Sequence, residues 1–301
     1  MTSDARTTLA RPDLAARGLE GLIRAETFAD VTTFRVKTSH AAVRATAGME
    51  SEQVNQLLFG EIFDSLDTNG RFVWGQARRD GYVGWVDAAA LSETLAAPTH
   101  WVKALRTVAF ATPLIKSTVW GWLSLNALAT VARTAGAMAL VADAGWVPIA
   151  HLAPIGREAA PPADTAERFL GAPYVWGGRD SLGLDCSGLI QQALYAAGLS
   201  CPRDTDQQTN LGRDINPDDL RRGDLVFWNG HVGMMLDAES LLHANAYHMA
   251  VAVEPLSEAI RRIAENGVGR PTAFRRICSY RAKTCPSLAK ALNSNALPEG
   301  S

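Results

Sequence analysis

The chain changes texture once, across the segment PIGREAAPPAD (Pro154–Asp164), and this break limits the possible architectures more than any other feature. Adjacent prolines fix φ and remove backbone donors, so the segment suits a linker rather than the interior of an element. Before it, from about Phe34 to Leu152, short alternating apolar runs are separated by turn residues. RFVWGQARRDGYVGWVDAAAL is the clearest case. Phe72 and Trp74 alternate with polar or small residues, Arg-Asp-Gly supplies a turn, and Tyr82, Gly84 and Trp85 follow. That pattern predicts a hairpin of a small β-barrel. DGYVGWVDAAAL (Asp80–Leu91) is echoed by ADAGWVPIAHL (Ala142–Leu152), and both place Gly-Trp-Val before a short turn and a closing Leu. The repeat predicts two barrels in tandem, at 34–95 and 96–156, after an N-terminal extension, 1–33. A single irregular β-domain is the alternative.

After the break the pattern becomes α+β. TAERFLGAP predicts a helix capped by Asp164 or Thr165 and stopped by Gly171 and Pro173. DCSGLIQQALYAAGL predicts a second, with Leu189, Ile190, Ala193 and Leu194 at helical spacing and Gly198 closing it. GDLVFW, HVGMML and SLLHAN follow as strands. This domain is expected over 164–281, with a loose tail at 282–301.

Composition excludes several classes. The 301 residues are 47% hydrophobic and 20% charged, with a net charge of −2, so no pull toward nucleic acid or an anionic membrane is expected. The N-terminus has no apolar h-region, and the apolar stretch Val119–Val147 is interrupted by Arg133, Asp143 and glycines. Four cysteines (Cys186, Cys201, Cys278 and Cys285) are too few for a disulfide scaffold. Reduced thiols and a cytoplasmic location are the expectation. Oligomeric state is left open.

The chemistry concentrates in three segments. In YVWGGRDSLGLDCSGLIQQALYAAG, Cys186 stands where a Gly-rich loop gives way to an apolar helix. Unpaired N–H groups and a partial positive charge at a helix start favour a thiolate, the attacking species. The backbone N–H of Cys186 or Ser187 is placed to bind an oxyanion. The bland alternative is one more small buried residue. In GDLVFWNGHVGMML, His231 follows an Asn-Gly turn; in SLLHAN, His243 comes twelve positions later. Two antiparallel strands joined at Asp237–Ser240 would bring the imidazoles together. Cys186 as nucleophile, His231 as base and His243 as orienter follow the logic of covalent catalysis. Zinc on the same three residues is disfavoured, because no CxxC or HxxxH pair is present. No cofactor or metal is expected.

YVWGG…DCSG, GDLVFW…HVG and LLHA, in that order over roughly Thr165–Ile277, resemble the NlpC/P60 family of cell-wall cysteine peptidases. The resemblance implies a papain-like α+β fold, with the Cys helix packed on the sheet that carries both histidines. Each N-terminal unit resembles a bacterial SH3-like domain. Together with CPRDTDQQ after the Cys helix, they resemble the dipeptidyl-peptidase branch, which cleaves γ-D-glutamyl-diaminoacyl bonds in peptides with a free N-terminal L-Ala. By position, the resemblance assigns Tyr174 near the oxyanion site and Asp185 and Ser187 to the flanks of the nucleophile. It assigns Asp204 and Thr205 to the substrate N-terminus and Tyr82 to closure of the pocket. Glu50 and Glu52 both qualify as a partner glutamate. A turn or helix cap is the plain alternative for Asp204. The expected partner is a small murein peptide, with lysine or diaminopimelate undetermined. An amidase or acyltransferase on the same site, or a wall-binding module, are the competing functions.

Overall fold

The computed structural model describes residues 4–94, 96–157 and 160–277. The expected tail, Cys278 and Cys285 lie outside them.

In the first barrel, seven strands follow the spatial order Gln53–Leu58, His40–Arg44, Val83–Asp87, Phe72–Ala77, Ile62–Asn69, Thr32–Val36 and Leu91–Ser92. The hairpin read from the sequence pairs Phe72–Ala77 with Val83–Asp87, and Trp74 stands opposite Trp85. Val43, Leu57, Phe63, Val73 and Val86 point inward and form its core. The second barrel combines a three-stranded sheet around His100–Val102 with a five-stranded one around Gly145–Pro148. The repeat has a structural meaning. In both barrels the Gly-Trp-Val strand runs into a 3₁₀ turn, Ala88–Ala90 or Ile149–His151, and then into a short strand that begins with buried Leu91 or Leu152.

The N-terminal segment is not separate from these barrels. Val83 donates its amide to the Arg6 carbonyl at 2.7 Å, and Gln76 Nε2 donates to the Thr7 carbonyl at 2.9 Å. Residues 4–7 are thereby held on the first barrel and reach the third domain.

That domain is built on a six-stranded sheet ordered Arg213–Asp214, Ala273–Arg276, Leu225–Trp228, His231–Met235, Ser240–Asn245 and Ala250–Pro255, in which every neighbouring pair is antiparallel. Its helices are α1 (Pro162–Glu167), α2 (Cys186–Ala196), α3 (Thr205–Gln208) and α4 (Leu256–Glu265). Leu225 and Phe227 face α2, where Leu189, Ile190, Ala193 and Leu194 pack. Val226 and Trp228, of opposite parity, face Ala259 and Ile263 of α4. A run hydrophobic on both faces is what a strand between two helices requires. Helix α1 begins two residues before Asp164, with Pro161 at the cap position, so neither Asp164 nor Thr165 caps it. Pro162 at the first helical position has its φ already set and needs no N–H partner there.

Polar side chains lock the third domain to the first barrel. Arg179 is 0% exposed and ion-paired with Glu61, itself 1% exposed. Arg179 Nε also donates to the Gln56 carbonyl at 2.5 Å, and Arg79 bonds Glu61 at 2.8 Å. Removing one member strands a buried charge. Arg179→Ala is therefore expected to lower unfolding stability by about 3–5 kcal/mol in denaturant titration. Arg78→Ala, which breaks a pair whose arginine is 57% exposed, should cost no more than about 1 kcal/mol. Equal losses for the two would overturn this account of the interface.

Candidate active site

The Gly-rich loop before α2 is pressed against the first barrel. Gly177 has φ +71, and a Cβ there would meet the Gln53 carbonyl oxygen at 2.4 Å. Trp176 Nε1 donates to Glu52 at 2.7 Å, and Gln53 Nε2 donates to the Trp176 carbonyl at 3.1 Å. Asp185 is the N-cap of α2 and accepts from the amides of Gly177 (2.9 Å) and Gly188 (2.7 Å). A Cβ on Gly188 would meet the Gly178 carbonyl at 2.3 Å, so only glycine lets the helix start lie this close to the loop. Cys186 is the first residue of the helix and 5% exposed.

Beneath it, the buried Arg203 guanidinium bonds both Asp185 oxygens (3.0 and 2.5 Å), Ser187 Oγ (2.6 Å) and Asn55 (2.9 Å). Asp185 and Ser187 thus belong to the frame that holds the helix start, as well as to the wall of the cleft.

The expected pull toward a thiolate is outweighed. Burial pushes the Cys186 thiol up to about 12 and Asp185 adds to this, while the N–H of Val232, Arg203 and the N–H of Ser187 act the other way. Desolvation of a buried sulfur exceeds the gain from a few N–H dipoles. Burial, and then neighbouring His243, hold the His231 imidazolium down to about 3. Burial thus favours the neutral form of each, and Cys186 Sγ lies 4.0 Å from the carbonyl of Gly230, the residue before His231.

His231 opens its strand and His243 lies in the next, with Met234 opposite Leu242 across the pair. Their rings meet through His231 Nε2 and His243 Nδ1 at 2.8 Å. Among the described residues, His231 Nδ1 has no hydrogen-bond partner. His243 is 0% exposed, and its Nε2 lies 2.7 Å from Glu254 Oε1. Arg262 of α4 is ion-paired with the same carboxylate. Burial first, and then the Arg262 charge, keep His243 neutral. Among the described residues, His243, His248 and Glu254 also form a group whose potential metal-ligand atoms lie within 4.8 Å of one another. Arg262 already occupies its carboxylate, which opposes a cation there.

The cleft, of about 240 Å³, is lined by Cys186, Gly230, Trp176, Glu52, Tyr82, Asp204 and their neighbours. Asp204 is the N-cap of α3 and Thr205 its first residue, so the plain reading of Asp204 as a cap also holds. Its side chain, 24% exposed, accepts from Arg6 at 2.8 Å and from the Tyr82 hydroxyl at 3.2 Å. Burial raises the Asp204 carboxyl above its ordinary range, with Arg203 and Arg6 pulling against it. Of the two glutamates left open, Glu52 lines the cleft and Glu50 is exposed outside it. Tyr174 packs half-buried against the core around Cys186 and does not line the cleft. Burial raises its hydroxyl, which stays protonated.

Sequence reasoning missed Arg6, Arg203, Glu254 and Arg262. Arg203 stood inside the quoted CPRDTDQQ run. Arg6, 198 residues away from Asp204, left no local signal.

The NlpC/P60 family model matches residues 171–267, and the bacterial dipeptidyl-peptidase Sh3 domain model matches residues 43–91. A γ-D-glutamyl-L-lysine dipeptidyl-peptidase of Bacillus subtilis is 29% identical over 229 residues, 68% of this chain and 76% of that one. A protein of the same name from Bacillus cereus is 31% identical over 102 residues, 31% of each chain. The crystal structure of an NlpC/P60 family protein from Bacillus cereus superposes with a TM-score of 0.69 at 18% identity, covering 81% of this chain and 99% of that one, which supports the fold. With a cysteine at the start of the packed helix, two coupled histidines on the adjoining sheet and both domain models in sequence, the chain carries an NlpC/P60 cysteine peptidase domain with a bacterial dipeptidyl-peptidase SH3 domain ahead of it.

Proposed function

We propose that the chain is a dipeptidyl-peptidase that hydrolyses γ-D-glutamyl-diaminoacyl bonds in released cell-wall peptides bearing a free N-terminal L-Ala, in cytoplasmic recycling of those peptides. The observation that carries this reading is the acidic end of the cleft, where the first barrel meets Asp204. Tyr82 and Arg6, both held by the first barrel, meet over Asp204 in the same cavity as Cys186. Glu52, Asp185, Asp204 and Asp206 line it against two guanidiniums, Arg6 and Arg203. The surplus of carboxylate suits a substrate ammonium, and in this reading Tyr82 and Arg6 over Asp204 are what turns away a longer chain. The names of the two Bacillus relatives support the same bond type. Cys186 attacks the γ-carbonyl, His231 takes the thiol proton and returns it to the leaving amine, and His243 holds His231 in place. Water then hydrolyses the thioester. The first amides of α2 serve the oxyanion, with Tyr174 packed beside Cys186 as their support, and Thr205 and Glu52 help to hold the L-Ala end.

The test compares kcat/KM for L-Ala-γ-D-Glu-diaminopimelate with its N-acetylated form. A charge-assisted hydrogen bond is worth up to about 3 kcal/mol, so wild type should prefer the free amine on the order of a hundredfold. Asp204→Ala should lose most of that preference by falling on the free-amine substrate. Equal rates on both substrates by the wild type would sink the dipeptidase reading and leave a general acyl hydrolase.

A further inference from the structure

We propose that the Glu254–Arg262 pair is a positioning device that fixes the tautomers of both histidines, so that His231 keeps its lone pair on Nδ1. The inference rests on the catalytic roles proposed for Cys186, His231 and His243, and it extends them to two residues that touch neither substrate nor thiol.

The argument is one of proton counting. The Glu254 carboxylate offers lone pairs and no proton. It lies 2.7 Å from His243 Nε2, so that nitrogen carries the hydrogen. A neutral imidazole has one N–H, which leaves His243 Nδ1 as an acceptor. Nδ1 is 2.8 Å from His231 Nε2, so the hydrogen of His231 resides on Nε2. His231 Nδ1 is then left with a lone pair, and among the described residues it is the nitrogen without a hydrogen-bond partner. When His231 takes the thiol proton at Nδ1, the new positive charge faces a line of two hydrogen bonds that ends on a carboxylate. No proton moves along that line; it orients and stabilises.

The fold builds this line from the sequence. His243 stands opposite Ala252, and Leu241 opposite Glu254, on adjoining antiparallel strands. Residues 252 and 254 share a face of their strand, so Glu254 reaches His243 on the diagonal. The strand ends at Pro255, the cap of α4, and the helix returns Arg262 to Glu254. Arg262 is also stacked 4.3 Å over the Tyr247 ring, which fixes the guanidinium from its other side. Its charge offsets the carboxylate, so His243 stays a neutral donor instead of becoming an imidazolium that would protonate the line from the wrong end.

The experiment reads tautomers directly. Nitrogen-15 NMR of the full chain, labelled at histidine, should show Nε2–H at both His231 and His243 in the wild type. In Glu254→Leu the tautomer at His231 should become mixed or reversed. On the free-amine tripeptide, kcat should fall roughly 100-fold with KM within about twofold, because a wrong tautomer disables the base without altering the cleft. Wild-type spectra with hydrogen on His231 Nδ1 would overturn the proposal, even if the leucine variant did not fold. A folded Glu254→Leu enzyme with wild-type tautomers, or with kcat unchanged, would overturn it as well. Activity of Cys186→Ala separates the two layers. If that variant still turns over, the catalytic reading fails whatever the spectra show; if it is dead and the tautomers are wrong, only the role of Glu254 falls.

Discussion

Cys186→Ala loses hydrolysis by at least about 10⁴-fold and still unfolds close to the wild-type temperature. The loss is large because nothing replaces the sulfur. Cys201, the other cysteine among the described residues, is buried in the same hydrophobic cluster but does not line the cleft. The structural cost is small because the substitution removes one atom from the wall of a cleft, about 1 kcal/mol. The resting thiol is held neutral by burial, so a thiol-reactive probe should label Cys186 slowly near neutral pH and faster as pH rises toward about 12. Cys201→Ala should keep wild-type turnover, since burial also raises its thiol and it lies away from the cleft lining. Turnover by Cys186→Ala at the wild-type rate would remove the cysteine peptidase mechanism. Loss of activity in Cys201→Ala at normal stability would point to a different nucleophile.

His231→Ala is expected to lower kcat by about 10³-fold or more, and His243→Gln by clearly less. With thiol and imidazole both neutral at rest, the thiolate exists only once His231 accepts the proton. Removing the base therefore removes the nucleophile as well. Glutamine at 243 still offers an oxygen to the His231 Nε2–H, so part of the orienting bond survives. The pH profile supplies a second check. A His231 imidazolium held down to about 3 by burial and His243 leaves the base free through the range where an ordinary histidine titrates. The acid limb of kcat/KM should accordingly lie well below pH 6.5. Single-turnover rates in which His243→Gln is the more damaged variant would mean that the two roles are exchanged. An acid limb near pH 6.5 would mean that His231 is solvated in the working enzyme.

Local pattern made several parts of this protein legible. Alternation with turn residues is a short-range property, and it placed the hairpin at Phe72–Asp87 and the strands that carry His231 and His243. Their twelve-residue spacing was enough to pair the imidazoles, because a strand, a tight turn and a strand consume that many residues. Cys186 at a helix start was equally local, since Asp185 as cap and the apolar spacing of α2 lie within one turn of it. The Gly-Trp-Val repeat marked one local form used twice, because the same strand, 3₁₀ turn and leucine closure recur at Val83–Leu91 and Gly145–Leu152.

What the chain alone could not decide depended on burial and on contacts between distant segments. A helix start argues for a thiolate, yet the degree of desolvation around Cys186 is set by the whole packed domain, and desolvation prevailed. Asp204 was readable as a cap or as an amine ligand. The resemblance had set Tyr82 over the pocket, but only the tertiary structure put its hydroxyl and the Arg6 guanidinium on this carboxylate, from segments 122 and 198 residues away. Glu52 and Glu50 are indistinguishable in sequence; the docking of Trp176 against the first barrel separates them. Glu254 and Arg262 carried no motif, and their line to His243 exists because a diagonal across two strands and the return of α4 bring three residues together. Sequence determines such elements through interactions a few residues long, whereas charge, protonation state and the walls of a cleft follow from which surfaces lose water when the domains pack.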